Sequence, residues 1–438
     1  MKKMVKNLAI CLVFVVFVSC FKAEKTFETA HKLCENPTEL RKCPDVKGKI
    51  ILPRNYPARS IYVGFSNDKY HLDFLDQLIS LVSQLETKPM LNILVPRLED
   101  IEAYDQLKKY FNDTYQLINL IPTSSNETVW AQDYMEVLLD TKSGKSEIIN
   151  LPYFGREGDY IPISVGLSCQ KNMIDQPLYP TNAPLPGNGD YGGNIDALTS
   201  KVVMLGNNMT NQTYELIEKS SVQKIVEVNV EWLETGHVDE IITTLPLEKN
   251  ASDCDQALLV ASPKVALDIV QNKTKDLTSF SSEFKPFYVD NLVWPSRDKC
   301  LLFNNQKDPD CIEFTKVNLW YERIIQKSLD KVQNLIQAEH GCRLKEIHFP
   351  QLFIPLEKAQ EYGLYEDRAV PLNPNAVNNI FFYPYLVLPQ QEFEPFQSDI
   401  EMKLKNLPHK IEYTNSKFVH ELNGGIHCAT NISYACTP

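Results

Sequence analysis

The amino-acid sequence predicts an α/β fold, and two patterns predict it. Short apolar runs of strand length recur along the chain, and stretches with apolar residues at helical spacing stand between them. Strands that alternate with helices pack as layers of the two. At 438 residues the chain has room for a large core in one or two domains. Ile61-Tyr62-Val63-Gly64-Phe65 reads as a buried strand. Residues 71–85 follow as a helix, with Leu75, Leu78, Ile79, Val82 and Leu85 on one face. Residues 91–95 read as strand, 103–111 as helix and 117–121 as strand. Similar units recur at 202–230, 240–270 and 380–413. Residues 21–55, polar and carrying several prolines, read as a lead-in to a body spanning 56–438.

Residues 1–20 read as an export signal. Lys2, Lys3 and Lys6 precede an apolar run over 8–18, and Ser19-Cys20 offers small residues for cleavage. The run is short of the roughly 20 apolar residues that span a bilayer. A lipid on Cys20 stays open as the alternative. Asn112, Asn126, Asn208, Asn211, Asn250, Asn272 and Asn431 each begin an Asn-x-Ser/Thr triplet, and any that carry glycans should lie in surface loops. Of 11 cysteines, Cys11 and Cys20 fall in the signal. Setting Cys428 aside leaves an even number, which suits disulfides in an oxidising compartment. Cys34 with Cys43 and Cys300 with Cys311 are the expected local pairs. The partners of Cys169, Cys254, Cys342 and Cys436 stay open. The net charge of −12 disfavours nucleic acid and favours cationic ligands such as Arg-rich peptides.

Three segments carry the chemistry. Trp130-Ala131-Gln132-Asp133-Tyr134-Met135-Glu136 supplies one aspartate. Trp232-Leu233-Glu234-Thr235-Gly236-His237-Val238-Asp239-Glu240 supplies a histidine and a second aspartate. Asn423-Gly424-Gly425-Ile426-His427-Cys428-Ala429-Thr430-Asn431 supplies a cysteine. Together they make the inventory needed to attack the carbon of a guanidinium. Cys428 is a soft nucleophile, and Asp133 and Asp239 clamp a planar cation in its own donor geometry. His237 moves the proton that lets ammonia leave. On a strand, His237 and Asp239 at i and i+2 would share a face. Cys428 must be a thiolate, or become one on binding substrate, and a protonated His237 and a substrate cation would both favour that charge. Cys428 is expected to stay free although Cys436 lies eight residues on.

In this order the three segments resemble protein-arginine deiminases. The match extends to Val260-Ala261-Ser262-Pro263-Lys264, Phe349-Pro350-Gln351-Leu352-Phe353 and Asn375-Ala376-Val377-Asn378. The resemblance implies the pentein-type fold, a five-bladed pseudo-symmetric α/β propeller of ββαβ units with the site at its centre. It implies a catalytic domain alone, without the immunoglobulin-like domains of vertebrate relatives. By the same analogy Trp130 packs along the aliphatic stem of the substrate arginine, with a buried core tryptophan as the alternative. Arg156 aligns with the arginine that hydrogen-bonds the substrate's peptide backbone. The resemblance also implies one calcium site, formed by Gln132, Glu136 and Asp196 with backbone carbonyls at Gly192 and Ile195, all hard oxygen ligands. A second family calcium site is expected to be lost, because Tyr134, Leu151, Pro152 and Gly155 stand where oxygen-bearing side chains are needed. No organic cofactor is implied.

The reading is therefore a secreted hydrolase, without a stable membrane span, that converts arginine in proteins or peptides to citrulline. A deiminase of a small guanidino compound, such as free arginine or agmatine, is the alternative enzyme. A non-catalytic secreted binding protein is the alternative outside enzymes. A cysteine protease would use the cysteine, the histidine and one aspartate, but leaves the second aspartate without a role.

Overall fold

The computed structural model describes residues 34–35, 41–85, 88–96, 118–123, 129–151, 160–175, 188–273, 309–355 and 368–438. Within them the expected alternation appears. The strand Ala58–Gly64 has a fully buried centre, as an apolar run without polar alternation should. The helix Lys69–Ser83 starts where Asp68 accepts hydrogen bonds from the Tyr70 and His71 amides, an N-cap that satisfies two orphan donors. It buries Phe74, Leu75, Leu78, Ile79, Leu81 and Val82. The helix expected at 103–111 lies outside the described residues.

Five sheets obey one pairing rule: an antiparallel pair, then a parallel partner reached by a crossover. Ile195–Thr199 runs antiparallel to Val202–Gly206, which lies parallel to Lys224–Val228 across the helix Asn211–Ser220. Ile242–Pro246, Gln256–Ser262 and Lys345–Pro350 repeat the pattern, with the helices Pro263–Lys273 and Pro309–His340 in the crossover. So do Ile380–Phe382, Tyr385–Pro389 and Lys410–Thr414, around the helix Glu394–Leu404. Met135–Asp140, Ser146–Asn150 and Asn172–Asp175 do the same around Ile161–Cys169. In the fifth sheet the antiparallel partner of Ala58–Gly64 is Thr430–Tyr434, and Met90–Val95 and Ile118–Pro122 continue it in parallel. A parallel pair cannot be joined by a hairpin, and each crossover helix covers one face of its sheet. The longest, Pro309–His340, packs Tyr321 flat against Trp232 at 4.5 Å between ring centroids.

The lead-in is tied into this body. Lys49–Ile51 extends a sheet by pairing antiparallel with Met135–Asp140, and Arg41–Lys42 pairs with Cys436–Thr437. That placement overturns the expected Cys34–Cys43 bridge. Cys43 is instead bonded to Cys436, because the short parallel pair brings their Cα atoms to 4.8 Å. Cys34, set against Asn92 and Asn119, is bonded to Cys169. Cys254 pairs with Cys342, and among the described residues Cys428 is the free cysteine. Cys300, and with it the expected Cys300–Cys311 pair, lies outside the described residues, as do residues 1–20. The three disulfides among the described residues are consistent with an oxidising, extracellular setting. Among the described residues no helix is long and apolar enough to cross a membrane.

Candidate active site

The three motifs meet through the backbone before any side chain is considered. Asp133 sits in a turn at residues 131–134 just after Trp130. The Gln132 amide donates to the Cys428 carbonyl at 3.1 Å, and the Gly192 amide donates to the Asp133 carbonyl at 3.2 Å. These two bonds fix the Asp133 turn against both the cysteine segment and the loop ahead of Ile195–Thr199.

His237 and Asp239 are not on a strand. His237 is extended, and Val238–Glu240 forms one 3₁₀ turn that opens the strand Ile242–Pro246. Gly236 before it has φ of +68°, a conformation open to glycine at little cost. The tighter turn still brings the pair together. One ligand-type atom each from His237, Asp239 and Cys428 lies within 4.8 Å of the others. His237 Nδ1 stands 3.9 Å from Asp133 Oδ1. The Cys428 thiol points at Asp239 Oδ2 over 3.7 Å. All four side chains are buried: Cys428 is 2% exposed, His237 3%, Asp133 5% and Asp239 0%.

Three further side chains complete the site, and none of them has a role assigned from the motifs alone. His427 Nδ1 donates to Asp239 Oδ2 at 2.7 Å, so this oxygen is engaged, while Asp239 Oδ1 has no hydrogen-bond partner among the described residues. Asn378 Nδ2 donates to Cys428 Sγ at 3.2 Å, and its Oδ1 accepts from the His427 amide at 2.8 Å. Gly425 makes that contact possible, since a Cβ there would stand 2.1 Å from Asn378 Oδ1. Glu240, fully buried, accepts from the Thr235 hydroxyl.

The electrostatics run against a resting thiolate. Burial pushes the Cys428 thiol well above its ordinary value, and the charges of Asp239, Asp133 and Glu240 push it further. Of the two expected routes, a resting thiolate or one formed on binding substrate, these surroundings favour the second. Burial likewise raises Glu240 to about 8, with the charges of Asp239 and Asp133 adding to it and the Thr235 hydroxyl opposing it. Glu240 is thus largely protonated at neutral pH.

Beside this cluster lies the expected calcium set. Glu136, Gln132 and Asp196 are all buried. Gln132 Nε2 donates to Glu136 Oε1 at 2.7 Å and to the Gly192 carbonyl at 3.3 Å. Burial, and next the charge of Asp196, hold Glu136 well above the usual carboxylate range. Asp196 Oδ2 accepts from the Thr243 hydroxyl at 2.8 Å and lies 3.8 Å from Arg54 Nη2. Two close carboxylates and a carbonyl, short of positive charge, fit a hard cation. At the expected second site, Tyr134 and Leu151 are core residues, whereas Pro152 and Gly155 lie outside the described residues.

Trp130 is half-buried, with its ring over Gly424, where a Cβ would meet the indole at 2.4 Å. Arg156 lies outside the described residues. Of the glycosylation triplets, Asn431 is buried and donates to the Met135 carbonyl, so it holds the Asp133 segment rather than facing a surface. Asn208 bridges the Gly236 carbonyl and Asn194. Asn211 and Asn250 are exposed, while Asn112 and Asn126 lie outside the described residues.

Comparison with known proteins points to one family. The profile of the protein-arginine deiminase family matches residues 195–436. Protein-arginine deiminase type-1 of Mus musculus is 25% identical over 399 residues, covering 87% of this chain and 54% of that protein. Type-3 of the same organism is 27% identical over 384 residues, covering 79% and 53%. The chain thus spans about half the length of the curated relatives it matches. Among solved structures, an agmatine deiminase from C. jejuni superposes with a TM-score of 0.53 at 13% identity, covering 90% of this chain and 99% of that one. At that identity the likeness shows the fold alone.

Proposed function

The chain belongs to the protein-arginine deiminase family, and from that premise we propose that it hydrolyses the guanidinium of arginine in proteins or peptides to citrulline, releasing ammonia. The observation that carries the reading is the free, buried Cys428 set against Asp133, Asp239 and His237. Among generic cysteine enzymes, a second carboxylate at the nucleophile has a use when the substrate is itself a planar cation.

The resting electrostatics supply an order of events. An entering guanidinium offers donors to Asp133 and to the unpaired Asp239 Oδ1 and neutralises the carboxylates that hold the thiol protonated. Loss of that repulsion lowers the cost of the Cys428 thiolate where and when substrate is present, and the thiol proton passes to His237. The sulfur then attacks the central carbon and forms a C–S bond. The C–N bond to one terminal nitrogen breaks, and His237 delivers the proton with which ammonia leaves. A thiouronium stays on Cys428. Water, deprotonated by His237, adds to the same carbon, the C–S bond breaks, and citrulline departs as the thiol is restored. Asn378 holds the sulfur in line by its 3.2 Å contact. Trp130 lies along the substrate stem, and Arg156 takes the peptide carbonyls.

One calcium ion would be held by Gln132, Glu136, Asp196 and the carbonyls of Gly192 and Ile195. When bound it would supply the positive charge that two buried carboxylates lack, and so stiffen the Asp133 turn. The wider reading has the 56–438 body as the catalytic domain, made of five units about a pseudo-fivefold axis. The five sheets with one pairing rule support it. The secretory setting is supported by the three disulfides.

The test is ammonia release, with formation of the matching ureido product, from a blocked arginine ester or an arginine peptide, compared with free arginine and agmatine. Faster turnover of the blocked substrates is expected. Turnover confined to free arginine or agmatine would reject the peptidyl reading, and no ammonia from any of the four would reject deimination.

A further inference from the structure

A second cavity, of about 600 Å³, opens between residues 54–58, the turn at 248–250 and the hairpin around Tyr383. Asp133, His237, Asp239 and Cys428 take no part in its lining. Its charge is opposite to that of the catalytic cluster. Arg41, Arg54, Lys249 and Lys410 line it, with Glu248 as the lone carboxylate, in a chain whose net charge is −12. Its body is aromatic, with Tyr56, Phe381, Phe382, Tyr383 and Tyr385 in the wall.

Cations and rings are paired around it. The Arg41 guanidinium sits 4.6 Å over the Tyr56 ring, Lys410 Nζ 5.2 Å over Tyr385 and Lys249 Nζ 6.0 Å from Tyr383. Both lysines are exposed, and among the described residues neither is ion-paired. Arg54 is only 3% exposed, and its Nη1 donates to the Asn379 carbonyl and Oδ1, each at 3.1 Å. Its Nη2 makes no hydrogen bond and faces Asp196 at 3.8 Å. Asn55 Oδ1, also buried, is likewise without a hydrogen-bond partner.

We propose that this cavity binds a small organic anion, a phosphate or carboxylate carried on a flat ring. Cavities of this size take ligands of that class. The anion would meet Lys249, Lys410 and Arg41, each donor already held near a ring, so little side-chain freedom remains to be lost. The ring would lie among the tyrosines and phenylalanines. Arg54 links this cavity to the catalytic centre: it touches Asp196 on one side and Asn379, next to Asn378, on the other. An occupant that draws on Arg54 therefore acts on the charge balance of Glu136 and Asp196.

Calorimetric titration of the full chain with 1-naphthyl phosphate tests this, with 1-naphthol as the uncharged counterpart. One phosphate ester per chain should bind, and binding should survive alkylation of Cys428. Lys249→Gln with Lys410→Gln should weaken it by at least about tenfold, the scale of one charged hydrogen bond. Naphthol should bind at least about tenfold more weakly than the ester. Both lysines are on the rim, so the variant should melt as the parent does. Absence of saturable binding, equal affinity in the double variant, equal affinity for naphthol, or loss of binding on blocking Cys428 would each overturn the proposal. Binding is read independently of turnover, so deiminase activity can fail while this site stands.

Discussion

Two buried acidic clusters lie side by side, and they are balanced differently. Of the pair Glu136 and Asp196, Asp196 has a permanent cation at 3.8 Å in Arg54 and a hydroxyl from Thr243, and Glu136 an amide from Gln132. Asp133, Asp239 and Glu240 face a neutral thiol and two histidines, and Asp239 Oδ1 is left without a hydrogen bond. Burying carboxylates without a cation is costly, so each cluster is a demand for positive charge. The first is met in part by the protein's own arginine. The second has no arginine or lysine ion-paired to it among the described residues, which suits a site for a guanidinium. In an acidic interior, reactivity belongs where the counter-charge is missing.

The comparison can be broken most directly at the sulfur. Cys428→Ser should lower citrulline formation by on the order of a thousandfold or more, because a serine hydroxyl is far harder to ionise than a thiol in this buried acidic site. The melting temperature should change little. Appreciable turnover by this variant would remove Cys428 as nucleophile. At the balanced cluster, Arg54→Met strands Asp196, and breaking a buried pair costs about 3–5 kcal/mol. Thermal unfolding should show that loss, and calcium should recover part of it. An unchanged melting curve would mean that Arg54 does not balance the pair.

Asp239→Asn removes one arm of the clamp. A charged hydrogen bond is worth about 1.5–3 kcal/mol, so kcat/KM should fall about tenfold to over a hundredfold. An unchanged specificity constant would rule the arm out. A smaller effect is read by pH. Glu240 titrates at about 8 in the fold against a usual value of 4.5, so the folded state holds an extra proton between these values. Its contribution is full below 4.5 and is lost as pH rises through 8. Stability should therefore decline across that window, and Glu240→Gln should flatten the decline; parallel pH–stability curves for the two proteins would remove Glu240 as its source. Smallest is the shape of the calcium response. With one site expected and Tyr134 and Leu151 in the core, titration into chelated enzyme should rise without cooperativity, or not at all. A steep, cooperative curve would point to sites beyond this one.

The sequence spoke clearly where a residue's chemistry is rare. Cysteine, histidine and two aspartates in three short motifs have few joint uses, and the fold brings all four together. The strands and helix at 58–95 were equally legible, since apolar periodicity directly reflects burial. Asn378, His427 and Glu240 were not, for they are ordinary residues until folding places Asn378 against Cys428, 50 residues away, and His427 against Asp239, 188 residues away. His427 was in plain view beside Cys428, yet only the 3₁₀ turn at 238–240 reveals that it reaches Asp239. The Cys34–Cys43 expectation failed for a related reason. Nearness along the chain is a guide to pairing only when nothing else holds the segment, and here short strands carry Cys43 to Cys436 and leave Cys34 to Cys169.

The Cys43–Cys436 bond joins residues 393 apart in sequence, so most of the chain is one covalent loop. A protease that cuts once anywhere inside that loop does not release a fragment: the two pieces stay joined through the disulfide, with two new ends at the cut. Such a nicked protein would migrate as one species without reductant and as two with it, and it would keep its site assembled wherever the cut spares the three motifs.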